Sequence, residues 1–254
     1  MNVAVNWLPE AAYFYIVLFS RIGTMMMLLP ALGEQSIPAR MRLSFALAFT
    51  FVLFPLLSPQ LPRMPNDFMP IFALVFHEIA VGVILGGIIR IFVMSTQVAG
   101  QVIAFQSGLS FAQSADPTQG VQGAIFGSFL SLVGITLIFA TNLHHVLLAG
   151  VYDSYSVFSP TAPLMFDDAA QLAIKAVSGA FTVGIQMSAP FIVFGLLFNL
   201  GMGILSKLMP ALQVYFLAMP ANIGIGLILF ALLLSSMMGW YLTHFEMQLE
   251  MLRR

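Results

Sequence analysis

The chain has 254 residues, of which 60% are hydrophobic and 7% charged, with nine Lys/Arg against ten Asp/Glu. A soluble domain carries about 25% charged residues, because charge is what covers a water-facing surface. That cover is missing here, and a mean hydropathy of +0.98 places lipid or protein against most of the outside. A net charge of −1 excludes the basic footprint of a nucleic-acid binder. The absence of cysteine removes disulfides, thiolate metal sites and cysteine nucleophiles together.

Residues 1–10 have no basic n-region and no small-residue cleavage site after an apolar stretch. No cleavable signal peptide is expected, and the first spanning helix serves as its own insertion signal. A spanning helix needs about 20 mostly apolar residues, and six runs are candidates. The first, about Ala11 to Pro30, is interrupted only by Arg21. The second, about Leu43 to Leu57, is short and ends among Pro55 and Pro59. The third, about Ile71 to Met94, carries His77, Glu78 and Arg90. The fourth, about Ala124 to Val151, is long and ends near His144 and His145. The fifth, about Leu172 to Leu205, exceeds what a bilayer needs and contains Pro190. The sixth, about Ala221 to Phe245, is the cleanest. Barrel strands would be about ten residues long with strict alternation, and these runs are too long and too uniformly apolar. The expected fold class is therefore all-α: a polytopic helical membrane protein of about six long helices in hairpins, forming a single integral membrane domain over residues 1–254.

The connections differ in character. Gly33 to Arg42 is a compact polar turn, and Ser58 to Pro70 is stiffened by four prolines. In Asp153 to Asp168, Asp167 or Asp168 is placed to cap the fifth helix. Lys207 to Pro220 is a short turn. With the N-terminus inside, Arg63, Arg253 and Arg254 face the cytoplasm, and Arg40, Arg42 and Lys207 face the other side. Three against three leaves the positive-inside rule without a bias, a hint that simple bilayer residence does not describe the final state.

The most unusual stretch is Ser95 to Gly123, STQVAGQVIAFQSGLSFAQSADPTQGVQG, in which Asp116 is the only charge. Gln97 and Gln101 are one helical turn apart, which puts their amides on one face. Periodicity is lost after Gly108, and Asp116-Pro117 with Gly120 is a turn signal. One reading is an ordinary extramembrane loop. The other is a pore-lining or pore-plugging segment, because irregular backbone at membrane depth is tolerated only where it lines a cavity or is covered by protein.

Arg21, Glu78 and Arg90 lie within apolar runs, where a charge must pair or reach water. Glu78 and Arg90 are twelve positions apart on one helix, too far to touch, so each needs a partner elsewhere. Snorkelling from helix ends, an intersubunit ion pair and a proton relay are the readings; a single acid at depth counts against an ion-coupled pump. Adjacent His144 and His145 point about 100° apart on a helix and do not form a metal site. Gly86-Gly87 and Gly201/Gly203 suit close helix approach. The Met25–Met27 and Met237-Met238 clusters suit apolar packing or a deformable seal. No hydrolase, metalloprotease or phosphate-loop motif is present.

Three stretches carry a resemblance to a known family: SRIGTMMMLLPALGEQSIPARMRLSFALA (20–48), EIAVGVILGGIIRIFVMSTQVAGQVIAFQSGLSFAQSADPTQG (78–120) and NLGMGILSKLMPALQVYFLAMP (199–220). Over nearly its whole length the chain resembles the FliR family of the flagellar type III protein-export gate and its injectisome counterparts. The resemblance implies one copy of this chain closing a spiral of FliP-like and FliQ-like subunits. It also implies an FlhB-like subunit on the cytoplasmic side, and unfolded flagellar export substrates passing through the channel. It implies residues 1–168 as a FliP-like part and 169–254 as a FliQ-like part, the latter with a hairpin at Lys207 to Pro220. It further implies no cofactor and no catalysis, and a place in the bacterial inner membrane within the flagellar basal body, largely raised out of the membrane plane. The loop of Phe105, Gln106, Ser107, Leu109, Ser110, Phe111, Gln113, Asp116 and Pro117 would plug the channel, with Gln97 and Gln101 beside it. Arg21, Glu34, Arg40, Arg42, Glu78, Arg90 and Lys207 are then candidates for intersubunit ion pairs. A small-solute transporter would show inverted repeats and several midplane polar groups, and a membrane enzyme would show a catalytic constellation. Neither pattern is in this sequence.

Overall fold

The computed structural model describes residues 3–34, 37–110, 125–162, 166–210 and 213–253. All regular structure among them is helical: α1 (Val3–Leu28), α2 (Ala39–Leu57), a 3-10 turn (Ser58–Gln60), α3 (Phe68–Val93), α4 (Ser95–Gln106), α5 (Ile125–Ala140), α6 (Leu143–Val157), α7 (Phe166–Leu208) and α8 (Val214–Arg253). Five stretches are long and apolar enough to cross a membrane, six if α5 and α6 count as one bent span. The chain is an integral membrane protein.

The expected fourth helix, read as one rod, is two. Asn142 sits in the left-handed region at φ 60, a conformation that ends a helix and that asparagine tolerates better than most residues. The last two helices are longer than expected. α7 has 43 residues, about 65 Å at 1.5 Å per residue, against a hydrocarbon core of about 30 Å. Asp167 and Asp168 fall within its first turn, where they face the positive end of the helix dipole. α8 has 40 residues and contains Pro220 rather than starting after it.

The packing gathers into two compact units interleaved along the sequence, 1–92 with 139–177 and 246–254, and 93–138 with 178–245. In the first unit α1 buries one stripe, Tyr13, Val17, Arg21 and Met25, at steps of four, continued by Leu29 just past its end. α2 lies along α1, and the Tyr15 hydroxyl donates to the Leu47 carbonyl at 2.9 Å. α3 meets α1 through Gly82 and Gly86. A methyl at Gly82 would lie 2.8 Å from the Arg21 carbonyl oxygen, and one at Gly86 2.9 Å from Leu28 Cβ. Lipid tails are as apolar as leucine, so helices in a membrane associate through such close packing rather than through escape from water.

In the second unit, Phe126, Phe191 and Phe230 form the centre, with Phe230 4.6 Å from Phe126 and 6.3 Å from Phe191 between ring centroids. Met237 and Met238 are buried there, as Met25 and Met26 are in the first unit, so these sulfurs fill core. Gly87, Gly201 and Gly203 meet nothing within 4 Å; of the glycines expected at close approaches, only Gly86 makes one within the chain. Much apolar surface stays uncovered: only 11% of α8's spanning window is buried within the chain, and Phe51 and Leu232 are 71% and 74% exposed.

Candidate functional site

The polar stretch opens as α4, which leaves α3 through a single turn residue, Met94, whose carbonyl accepts from the Gln97 and Val98 amides. Ser95, Thr96, Ala99, Gly100, Ile103 and Ala104 form its buried side. All but Ile103 are small, and the neighbours come close: a methyl at Gly100 would overlap the backbone of Gly127 on α5. A methyl at Gly184 of α7 would lie 2.8 Å from Val98 Cβ, and one at Gly226 of α8 would lie 2.6 Å from Ser107 Cβ. α4 is therefore held on three sides by backbone-level contacts in the second unit.

That packing separates the two glutamines that one-face spacing had grouped. Gln97 is half-buried, its Oε1 against Gly127, whereas Gln101 is exposed, as is Phe105 one turn further on. Gln106 tucks its amide against Gly195. Ser107 is buried, and its hydroxyl donates to the Ala104 carbonyl at 3.3 Å. Gly108 turns left-handed at φ 73, its Cα facing the Asn222 amide. Asn222 Nδ2 donates to the Gln106 carbonyl at 3.4 Å. Leu109 and Ser110 are half-buried. Phe111, Gln113, Asp116 and Pro117 lie outside the described residues.

The buried charges occupy the first unit, where the structure shows pairs within the chain. Arg21 and Glu78 are both fully buried, and Arg21 Nη2 donates to Glu78 Oε1 at 2.7 Å across 57 positions of sequence. Arg21 Nη1 donates to the Ser154 carbonyl at 3.0 Å, and its guanidinium lies 4.1 Å from the Tyr155 ring centroid. One arginine fork thus ties α1 to α3 and α6. His77 Nδ1 lies 3.3 Å from the same Glu78 oxygen. The Pro30–Glu34 turn supplies the second pair. Ala31 takes φ 68, Gly33 packs on the Met27 carbonyl where a Cβ would overlap it, and Glu34 is thereby presented to Arg90, which donates to it. Glu78 and Arg90 do not meet each other; each finds a partner within this chain, and only for fully buried Glu78 would lack of one cost several kcal/mol. Arg42 donates to the Gly33 carbonyl at 3.4 Å. Arg40 and Lys207 are exposed.

Reading the sequence missed Ser154 and Tyr155, which hold Arg21, and Asn199 and Asn222, which border α4. The two asparagines were visible as lone carboxamides in apolar helices, a pattern that marks working positions in membrane proteins; Ser154 acts through its backbone and leaves no signal. His144 stacks on Phe139 at 4.8 Å between centroids. Among the described residues no three His, Asp or Glu side chains are gathered to hold a metal.

Long apolar helices, internally neutralised charges and one uncharged polar helix define a polytopic membrane protein. The chain belongs to the family described as Bacterial export proteins, family 1, which it matches over residues 12–248. It is similar to the flagellar biosynthetic protein FliR of Caulobacter vibrioides, 41% identical over 90% of this chain and 91% of that protein. It is 28% identical to FliR of Bacillus subtilis over 100% and 96% of the two chains. Its identity with the Yop proteins translocation protein T of Yersinia pestis is 24%, over 89% and 87%.

Proposed function

We infer that this chain is a structural, channel-forming subunit of the flagellar type III protein-export gate. The observation that carries the reading is the 41% identity with a flagellar FliR across 90% of the chain. On this reading the chain works without catalysis. One copy assembles with FliP-like and FliQ-like subunits in the bacterial inner membrane, within the flagellar basal body, an FlhB-like subunit packs on the cytoplasmic side, and unfolded flagellar polypeptides pass through. The uncovered apolar faces of α2 and α8 support it, since sister subunits bury such faces. The FliP-like and FliQ-like parts meet near residue 168, a division by ancestry distinct from the two packing units. Exposed Gln101 and Phe105 face the channel, and the segment from Phe105 to Gly123 closes it. Arg40 and Lys207 are free to reach neighbouring subunits.

The 24% identity with the Yersinia translocation protein supports a second reading, the same gate in a virulence injectisome; the higher identity favours the flagellum. Native mass spectrometry in mild detergent tests the assembly. One copy bound to several copies of two smaller membrane proteins is expected, and a stable monomer or symmetric homo-oligomer refutes the reading. Deleting Ser110–Thr118 is expected to leave assembly intact and let small ions leak through the closed gate. An ion-tight deletion removes the plug.

A further inference from the structure

Only 22% of the spanning window that α2 opens is buried within the chain. Its inward side is Ala46, Thr50, Leu53 and Leu57, all buried. At about 100° per residue, Met41, Phe45, Phe49, Val52 and Leu56 share one outward stripe, apolar from end to end. Met41 and Val52 are 63% and 64% exposed. The same rotation puts Arg42 on the edge between stripe and inward side, and it is half-buried. Arg40 falls on another side of the helix and is exposed.

The N-terminal end of the stripe opens into a pocket of about 190 Å³ within the first unit. Met26, Leu32, Ile37, Met41 and Phe45 wall it, and Arg42 is the one charged residue among them. The Arg42 guanidinium is tethered there but not neutralised. Its Nη1 donates to the Gly33 carbonyl at 3.4 Å. Its Nε is sealed against the protein, whereas Nη2 is neither sealed nor hydrogen-bonded among the described residues. The ion pairs among those residues are Arg21–Glu78, His77–Glu78 and Arg90–Glu34, so none of their carboxylates answers Arg42. A cation at the edge of an apolar spanning face must pair or reach water.

We propose that the α2 stripe seats a spanning helix of a sister subunit that carries an Asp or Glu one turn from a bulky apolar residue. The carboxylate accepts from Arg42 Nη2, and the apolar side chain fills the pocket. An apolar stripe alone fixes register weakly, because a partner helix that slides by a turn meets similar surface. One charged group beside the seam removes that ambiguity, since every wrong register leaves a charge unpaired. The tether to Gly33 and the flat guanidinium hold Arg42 in advance, so little freedom is lost on pairing. A phospholipid phosphate would answer the charge, but the glycerol next to it is polar and leaves the apolar pocket unfilled. A helix sets an acid and an apolar side chain next to each other at three- or four-residue spacing. The inference rests on the export-gate reading and adds to it the chemistry of one partner helix and the residue that sets its register.

The test uses the chain co-expressed with its sister subunits and purified in mild detergent. A benzophenone amino acid at Met41 or Val52 is expected to capture a spanning helix of a sister subunit. Peptide mass spectrometry is expected to find an Asp or Glu within one turn of the point captured from Met41. Arg42→Glu is expected to lower recovery of the assembled complex at least about ten-fold, the weight of a charged hydrogen bond. Arg40→Glu is expected to lower it no more than about two-fold, as for an exposed charge. Exchanging the captured acid for Arg is expected to restore the Arg42→Glu complex, which it could not do for a misfolded chain. If Arg42→Glu does not accumulate, Arg42→Gln is combined with Gln at the captured acid, and the double variant is expected to lose no more than either single. Capture of lipid alone, a captured helix without an acid within one turn, equal losses from Arg42→Glu and Arg40→Glu, or a swap that restores nothing overturns the seat and leaves the gate reading standing. A wild-type chain that recovers no sister subunit overturns both.

Discussion

Removing one member of the Arg21–Glu78 pair is the most telling single perturbation. Arg21 makes three contacts in a site closed to solvent: the Glu78 carboxylate at 2.7 Å, the Ser154 carbonyl at 3.0 Å and the Tyr155 ring at 4.1 Å. Arg21→Met deletes all three and strands a buried carboxylate. Breaking a buried pair from one side costs about 3–5 kcal/mol, two to four powers of ten in the folding equilibrium. Glu78→Met strands the guanidinium and costs a similar amount. The double variant Arg21→Met with Glu78→Met strands nothing. The Ser154 carbonyl keeps the Phe158 amide as a donor at 2.9 Å, and long apolar side chains fill the volume, so the double lies within about 1 kcal/mol of the wild type. The assay is thermal melting of the detergent-solubilised chain, expressed with and without its sister subunits. By the scaling of soluble proteins of this size, each single variant melts about 10 °C lower. Two results refute the reasoning: singles no worse than the double, or a loss that occurs only when sister subunits are present, which would make the pair an intersubunit device after all.

Gly100→Ala forces a methyl onto the Gly127 backbone, where no flexible side-chain end can yield; the expected loss is at least about 1–3 kcal/mol. Gly87→Ala, with nothing within 4 Å, is expected to stay within about 0.5 kcal/mol, and melting of the two variants side by side checks both. Arg90→Gln opens the pair with Glu34, whose side chains are 29% and 28% exposed. Its expected cost is about 1 kcal/mol or less, shrinking at high salt, as melting at two ionic strengths would show.

The all-helical class was legible in the sequence because hydropathy integrates over whole spans, and a run such as 68–93 needs no partner to declare itself. The role of Gly86 in close packing and the apolar use of Met25, Met26, Met237 and Met238 were likewise readable from local chemistry. The break at Asn142 was not. It turns on one residue's left-handed conformation, and the polar residues beside it, Thr141, His144 and His145, do not by themselves specify a turn.

Residue types settled that Arg21, Glu78 and Arg90 each need a partner, since an unpaired charge in an apolar span is too costly to keep. Which partner each takes was decided by tertiary structure. Arg21 and Glu78 stand 57 positions apart, and only the packing of α3 on α1 through Gly82 and Gly86 brings them together. The same holds for the polar helix. Its uncharged character is written in the chain, but the split between half-buried Gln97 and exposed Gln101 follows from where Gly127 and Gly226 let neighbouring helices approach. Sequence determines what each segment can tolerate around it; tertiary packing determines which of the tolerable neighbours it meets.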